Sequence, residues 1–262
     1  MTNRRWGALA AAITTLLVLG SVSACDRADE HAQFTIDAAA VSGPDTLGLS
    51  AAGEPIKAVV VYFHGMDQKA DVTQSDVKHK SFVQALLRAG YAVVSADASR
   101  NAFGNPVSRQ QYRDLVRAAE QKYRAPATFY VAESMGALPA LALLSEDHGH
   151  TIRGMIGISP LMGLPPRGES IDFVADAWGG SLPPEADPLA WPAAAFANRN
   201  FELYASADDH VVPADASARE FANRFGAVAD VRVTSCSGGH VAGDCFRGDD
   251  VVAWMTSLTE PA

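Results

Sequence analysis

The chain has 262 residues, 48% of them hydrophobic and 19% charged, with 30 acidic against 21 basic residues and a formal net charge of −9. This is the composition of a globular protein long enough to bury a full core, and one domain is expected, since α/β chains run to ~200–250 residues without splitting. The acidic balance argues against a nucleic-acid partner, whose binding requires a positively charged face.

At the amino terminus, Arg4 and Arg5 precede a charge-free apolar run from Trp6 to Val22, the basic and hydrophobic regions of a signal peptide. The run ends in Val22-Ser23-Ala24-Cys25, which resembles the lipobox of bacterial lipoproteins. That resemblance implies removal of residues 1–24, acylation of Cys25, and an extracytoplasmic protein anchored to the bacterial cell membrane. Several acyl chains hold far better than one, because each buried CH₂ contributes ~0.8 kcal/mol. The alternatives are an uncleaved membrane anchor and a plain secretory signal with an incidental cysteine. Cleavage removes two arginines and no acid, leaving 30 acidic against 19 basic residues. Residues 25–32 then form the lipidated cysteine and a polar tether, and 33–262 the folded domain.

Beyond the tether, strand-like and helix-like segments alternate. Ala58–Phe63 (AVVVYF) reads as a strand buried on both faces, and Val77–Ala89 as an amphipathic helix stopped by Gly90. Tyr91–Ala96 is a strand, and Ser108–Lys122 a helix with Tyr112, Leu115, Val116 and Ala119 on one face. Thr128–Ala132 is a strand leading into a helix over Met135–Leu144, with Pro139 confined to its first turns. Short strands follow at Met155–Ser159 and Phe201–Ala205, then a helix at Ala214–Phe225, a strand at Val228–Thr234 and a closing helix at Asp249–Leu258. Such alternation predicts a mostly parallel sheet with helices on both faces. The stretch 161–200, rich in Pro, Gly and Ala and holding Trp178 and Trp191, is too long for a simple connection and is expected to form a small cap beside a site; an irregular surface excursion is the alternative.

Ala132-Glu133-Ser134-Met135-Gly136 joins a strand end to a helix start. A serine on so sharp a turn is open to a base on one side and a carbonyl on the other, and its small neighbours let backbones pass closely. Alone, the string equally suits Ser134 as a helix N-cap. It resembles the Gly-x-Ser-x-Gly nucleophile elbow of α/β-hydrolases, with Ala132 in place of the first glycine. Phe63-His64-Gly65-Met66 resembles the strand end of the same family whose following amide binds an oxyanion. The resemblance implies backbone donors at Met66 and Met135, while His64 is expected to be structural. Ser206 to Pro213 resembles the family's acid loop; counting back from Pro213 places the acid on Asp209, with Asp208 the alternative and a turn role the simpler function of either. Ser237-Gly238-Gly239-His240 resembles the Gly-Gly-His loop that carries the base, a lone surface histidine being the alternative. Nucleophile, acid and base then follow in the chain order of this family.

Cys236 and Cys245 are an even pair flanking His240, and in an oxidising compartment a disulfide is expected between them, limiting the freedom of that loop; two buried thiols are the alternative. The chain lacks His-Glu-x-x-His, Cys-x-x-Cys and Gly-x-Gly-x-x-Gly, so no metal, cofactor or nucleotide is expected. The family resemblance implies a three-layer α/β-hydrolase fold and a serine hydrolase working through an acyl-enzyme. Carboxylic esters, as small-molecule or lipid-like acyl substrates, are expected first. A peptidase or amidase of the same fold is second, and a catalytically idle lipoprotein binding module is the remaining class.

Overall fold

The computed structural model describes residues 35–164 and 172–259. The apolar leader, Cys25 and the tether through residue 32 lie outside the described residues, as do positions 165–171 of the insert.

Among the described residues, eight strands form one sheet: β1 (Ile36–Ala39), β2 (Thr46–Ala51), β3 (Ala58–Phe63), β4 (Tyr91–Ala96), β5 (Thr128–Glu133), β6 (Ile152–Ile158), β7 (Asn200–Ser206) and β8 (Asp230–Cys236). Their order is β1-β2-β4-β3-β5-β6-β7-β8. The pairings from β4 to β8 are parallel, whereas β1 and β2 add an antiparallel edge that the sequence analysis did not anticipate. The alternation of β3 shows why both faces need helices. Val59, Val61 and Phe63 enter one core, Ala58, Val60 and Tyr62 the other.

The first core is closed by α2 (Pro106–Tyr123), α3 (Ala137–Glu146) and α5 (Ala218–Phe225), through side chains such as Leu115, Leu141 and Phe221. The second is closed by α1 (Val77–Arg88) and α6 (Gly248–Ser257), through Phe82, Leu86, Val251 and Trp254. Among its described residues the insert contributes α4 (Asp172–Ala177) and three short 3₁₀ turns.

Several elements differ from expectation: β6 begins three residues early, at Ile152, and the helix expected from Met135 starts at Ala137 after a 3₁₀ turn over Ser134–Gly136. Three further differences have identifiable reasons. Helix α2 begins two residues early because Asn105 accepts from the Ser108 amide as its cap and Pro106 fills the first helical position. The helix expected over Ala214–Phe225 breaks at Ser217, whose hydroxyl donates to the Pro160 carbonyl and accepts from the Met162 amide. Strand β8 starts at Asp230, since the amides of Val228 and Ala229 are still spent on the Phe225 carbonyl at the end of α5.

Candidate active site

The loops that follow β3, β5, β7 and β8 all open at the carboxyl ends of parallel strands, where open α/β sheets place their ligands. Ser134 follows β5 directly and adopts φ 47°, a left-handed conformation that is strained for a residue with a Cβ. Gly136 explains how the turn closes: a Cβ there would stand 2.2 Å from the Phe63 carbonyl oxygen and 2.7 Å from that of His64. The close approach is thus between the elbow and the end of β3, and only glycine permits it.

The three side chains named from the sequence meet. His240 Nε2 is 2.8 Å from Ser134 Oγ, and His240 Nδ1 is 2.7 Å from Asp209 Oδ2. Asp209 is buried, and its other oxygen accepts the amides of Val211 and Val212, both at 2.9 Å. As an acceptor only, this carboxylate selects the tautomer with the proton on Nδ1 and leaves Nε2 to receive the Ser134 hydroxyl. Asp208 is exposed and does not face the imidazole, so the geometry separates the adjacent acids.

The loop that carries His240 is fixed from several sides. Cys236 and Cys245 are joined in a disulfide that closes the loop carrying His240. Ser206 Oγ donates to the Gly238 carbonyl, and Asp244 accepts from the amide and hydroxyl of Ser237. Lys78 Nζ donates to the Val241 carbonyl and the Val241 amide donates to Ser159 Oγ. Of the two glycines, Gly238 uses glycine's freedom, at φ 97°; a Cβ on Gly239 would meet open space.

Beside the elbow, Met66 is flanked by amides already engaged, Gly65 on Gln68 Oε1 and Asp67 on Asn101 Oδ1, each at 2.7 Å. His64 is buried with its ring nitrogens against the carbonyls of Gly65 and Asp97, a structural placement beneath the loop. A cavity of about 1040 Å³ opens over Ser134 and His240, lined mainly by apolar side chains that include Met66, Phe103, Leu161, Phe173, Leu189 and Val211. Leu161, Phe173 and Leu189 belong to the insert, which therefore walls the site. Among the described residues no group of three His, Cys, Asp or Glu side chains is arranged to hold a metal ion.

One polar cluster escaped the sequence analysis. Glu133, only 1% exposed and immediately before Ser134, accepts from Tyr62 Oη at 2.6 Å, Gln68 Nε2 at 2.5 Å and His79 Nε2 at 2.9 Å. His79 Nδ1 faces Asp76 Oδ1, also at 2.9 Å. A carboxylate at each nitrogen favours the imidazolium: burial works against its charge, but Glu133 and then Asp76 raise its pKa above the ordinary imidazole value. Burial likewise opposes the Glu133 charge, yet the hydrogen bonds and charge of His79, with Tyr62 and Gln68, hold its carboxyl below the ordinary carboxylate range. Two signals for this cluster were available: a glutamate ending an otherwise apolar strand, and Asp76-x-x-His79 at a helix start.

A mostly parallel sheet with helices on both faces and a serine elbow at its centre defines an α/β-hydrolase. The chain belongs to the serine aminopeptidase, S33, family, whose profile matches residues 54–200. No curated protein matches it in sequence. Among solved structures, it is similar to TT1662 from Thermus thermophilus, at 17% identity and a TM-score of 0.62 over 88% of this chain and 100% of that one. It is also similar to an esterase from Pyrococcus furiosus, at 17% identity and a TM-score of 0.62 over 86% and 90% of the two chains. A truncated carbohydrate esterase from gut microbiota gives 14% identity and a TM-score of 0.65 over 87% and 98%. At these identities the likeness is one of fold.

Proposed function

We propose that this protein is a serine hydrolase that cleaves carboxylic esters through an acyl-enzyme. The observation that carries the proposal is the unbroken hydrogen-bonded chain from Ser134 through His240 to Asp209, opening into a largely apolar cavity. In this mechanism Nε2 of His240 takes the Ser134 proton as Oγ attacks the acyl carbon, and Asp209 stabilises the resulting imidazolium. The tetrahedral oxyanion is received by the backbone amides of Met66 and Met135, where losing one donor typically costs ~2.7–4 kcal/mol. His240 then protonates the departing alcohol, and a water activated by the same imidazole releases the acid. The exposed side chains of Met66, Phe173 and Val211, at 45%, 53% and 68%, give the cavity an apolar mouth suited to a small or lipid-like acyl group.

Amide cleavage from a peptide amino terminus is the second reading, favoured by the family to which the chain belongs. Comparing p-nitrophenyl esters of increasing acyl length with aminoacyl p-nitroanilides separates the two. We expect ester turnover to dominate and kcat/KM to rise with chain length as the cavity fills. Faster cleavage of the anilides would replace the ester reading with the peptidase one. Turnover of neither, with no labelling by a fluorophosphonate, would leave a binding module.

Location is part of the same proposal. Its support is the apolar leader ending at Cys25; among the described residues no helix is long and apolar enough to cross a membrane. In a bacterial host, the native protein is expected to incorporate labelled fatty acid and Cys25→Ala to lose that label. Native protein that takes up no label, or Cys25→Ala labelled as strongly as the native protein, would rule out the lipid anchor on Cys25.

A further inference from the structure

Resting on the hydrolase reading, we infer that Gln68 is a positioning residue for the oxyanion-binding loop, locked in a single orientation by the buried carboxylate of Glu133. Glu133 Oε1, 2.5 Å from Nε2, belongs to a carboxylate that only accepts; the Gly65 amide, 2.7 Å from Oε1, only donates. Turning the Gln68 amide over would place donor against donor and acceptor against acceptor, so the two partners together permit one orientation.

That orientation bears on the oxyanion. The amide of Gln68 closes back on the Gly65 carbonyl at 3.4 Å, and His64 Nδ1 lies 2.7 Å from the same oxygen. Because a peptide unit is planar and trans, fixing the Gly65 carbonyl fixes the direction of the Met66 N–H across the same bond. Gln68 thereby holds Gly65 from both its polar groups, and Glu133 holds Gln68. The carboxylate in turn is kept charged by His79, which Asp76 faces from the other side, with the Tyr62 hydroxyl as a further donor. One glutamate consequently ties the residue before the nucleophile to the loop that receives the oxyanion.

The test uses the full-length protein and the rate of phosphonylation of Ser134 by a fluorophosphonate, whose transition state, as Oγ attacks phosphorus and fluoride leaves, places developing negative charge on the phosphoryl oxygen in the same pocket. Gln68→Leu keeps the bulk and removes both hydrogen bonds. We expect its labelling rate and kcat to fall together by ~10²-fold, the scale of a small misplacement of reacting groups, with KM nearly unchanged. Gln68→Glu adds a readout that a purely structural role does not move. Its new carboxyl faces Glu133, so a proton must be shared between them for the bridge to re-form. Its rate relative to the native protein should therefore recover as pH falls, while the deficit of Gln68→Leu stays level. Thermal melts establish that each variant is folded, and Gln68→Glu carries the test if Gln68→Leu does not accumulate. Native-like labelling of Gln68→Leu, or a pH-independent deficit in Gln68→Glu, overturns this inference while leaving the hydrolase reading intact. A native protein that is not labelled at all overturns both.

Discussion

Ser134→Ala should lower kcat on acyl esters by about 10⁵–10⁶-fold, since nucleophile, base and acid act as a unit and the loss of one leaves only the oxyanion donors and binding. His240→Ala should match it, and the double variant should be little worse than either single one, because the second deletion removes a partner that no longer has a task. Asp209→Asn should cost about 10⁴-fold, as the amide permits the wrong imidazole tautomer. Initial rates on a p-nitrophenyl ester, with circular dichroism to establish folding, measure all four. The substitution at Ser134 leaves the elbow's backbone requirement in place, since alanine meets the same restriction at φ 47°. Substantial residual turnover in folded Ser134→Ala would move the nucleophile elsewhere.

The second large effect concerns stability. His79→Leu should destabilise the fold by about 3–5 kcal/mol, because it strips the buried Glu133 carboxylate of its counter-charge and a hydrogen bond. Adding Glu133→Gln should restore much of that loss by removing the stranded charge, a non-additivity that a double-mutant cycle reads directly. The pH dependence follows from two opposite shifts. The pKa of His79 is raised, so its contribution is whole below the ordinary imidazole value of 6.5 and fades as pH climbs through the raised one. The pKa of Glu133 is lowered, so its contribution is whole above the ordinary carboxylate value of 4.5 and fades as pH falls through the lowered one. Asp76 shifts down as Glu133 does and reinforces the acid limb. Tyr62 is held well above the ordinary phenol value, by burial first and then by Glu133, and stays neutral across this window. The remaining neighbours are the uncharged edge of Phe246 and Lys78, which lies over that ring. Denaturant unfolding across pH, native against His79→Leu, should show a gap widest between the two ordinary values. A gap that ignores pH, or one below about 1 kcal/mol, would contradict the account of a charged buried pair.

Much of the site was legible in the sequence because its parts sit where strands end, and each carries a local mark: a serine among small residues, an aspartate four before a proline, a histidine behind two glycines. The inner strands β3, β4 and β5 were legible for a related reason, being buried on both faces and therefore largely apolar. What escaped depends on contacts between distant segments. Glu133 and His79 are 54 positions apart, and the periodicity of α1 points to Phe82 and Leu86 without saying what faces a histidine at its start. The break at Ser217 comes from hydroxyl bonds to Pro160 and Met162, which no propensity contains. The edge strand β1 is exposed along its whole length, so burial left no alternation to read.

The bond between Cys236 and Cys245 gives the protein a dependence on where it is made. A host that keeps thiols reduced would assemble the same sheet and the same elbow, whose formation involves no sulfur chemistry. The segment bearing the imidazole would then rely on hydrogen bonds, among them those of Lys78, Ser159, Ser206, Asp209 and Asp244. Recombinant material from such a host can thus be soluble and well folded yet underrepresent the potency of the oxidised form, so yield is a poor guide to quality for this protein.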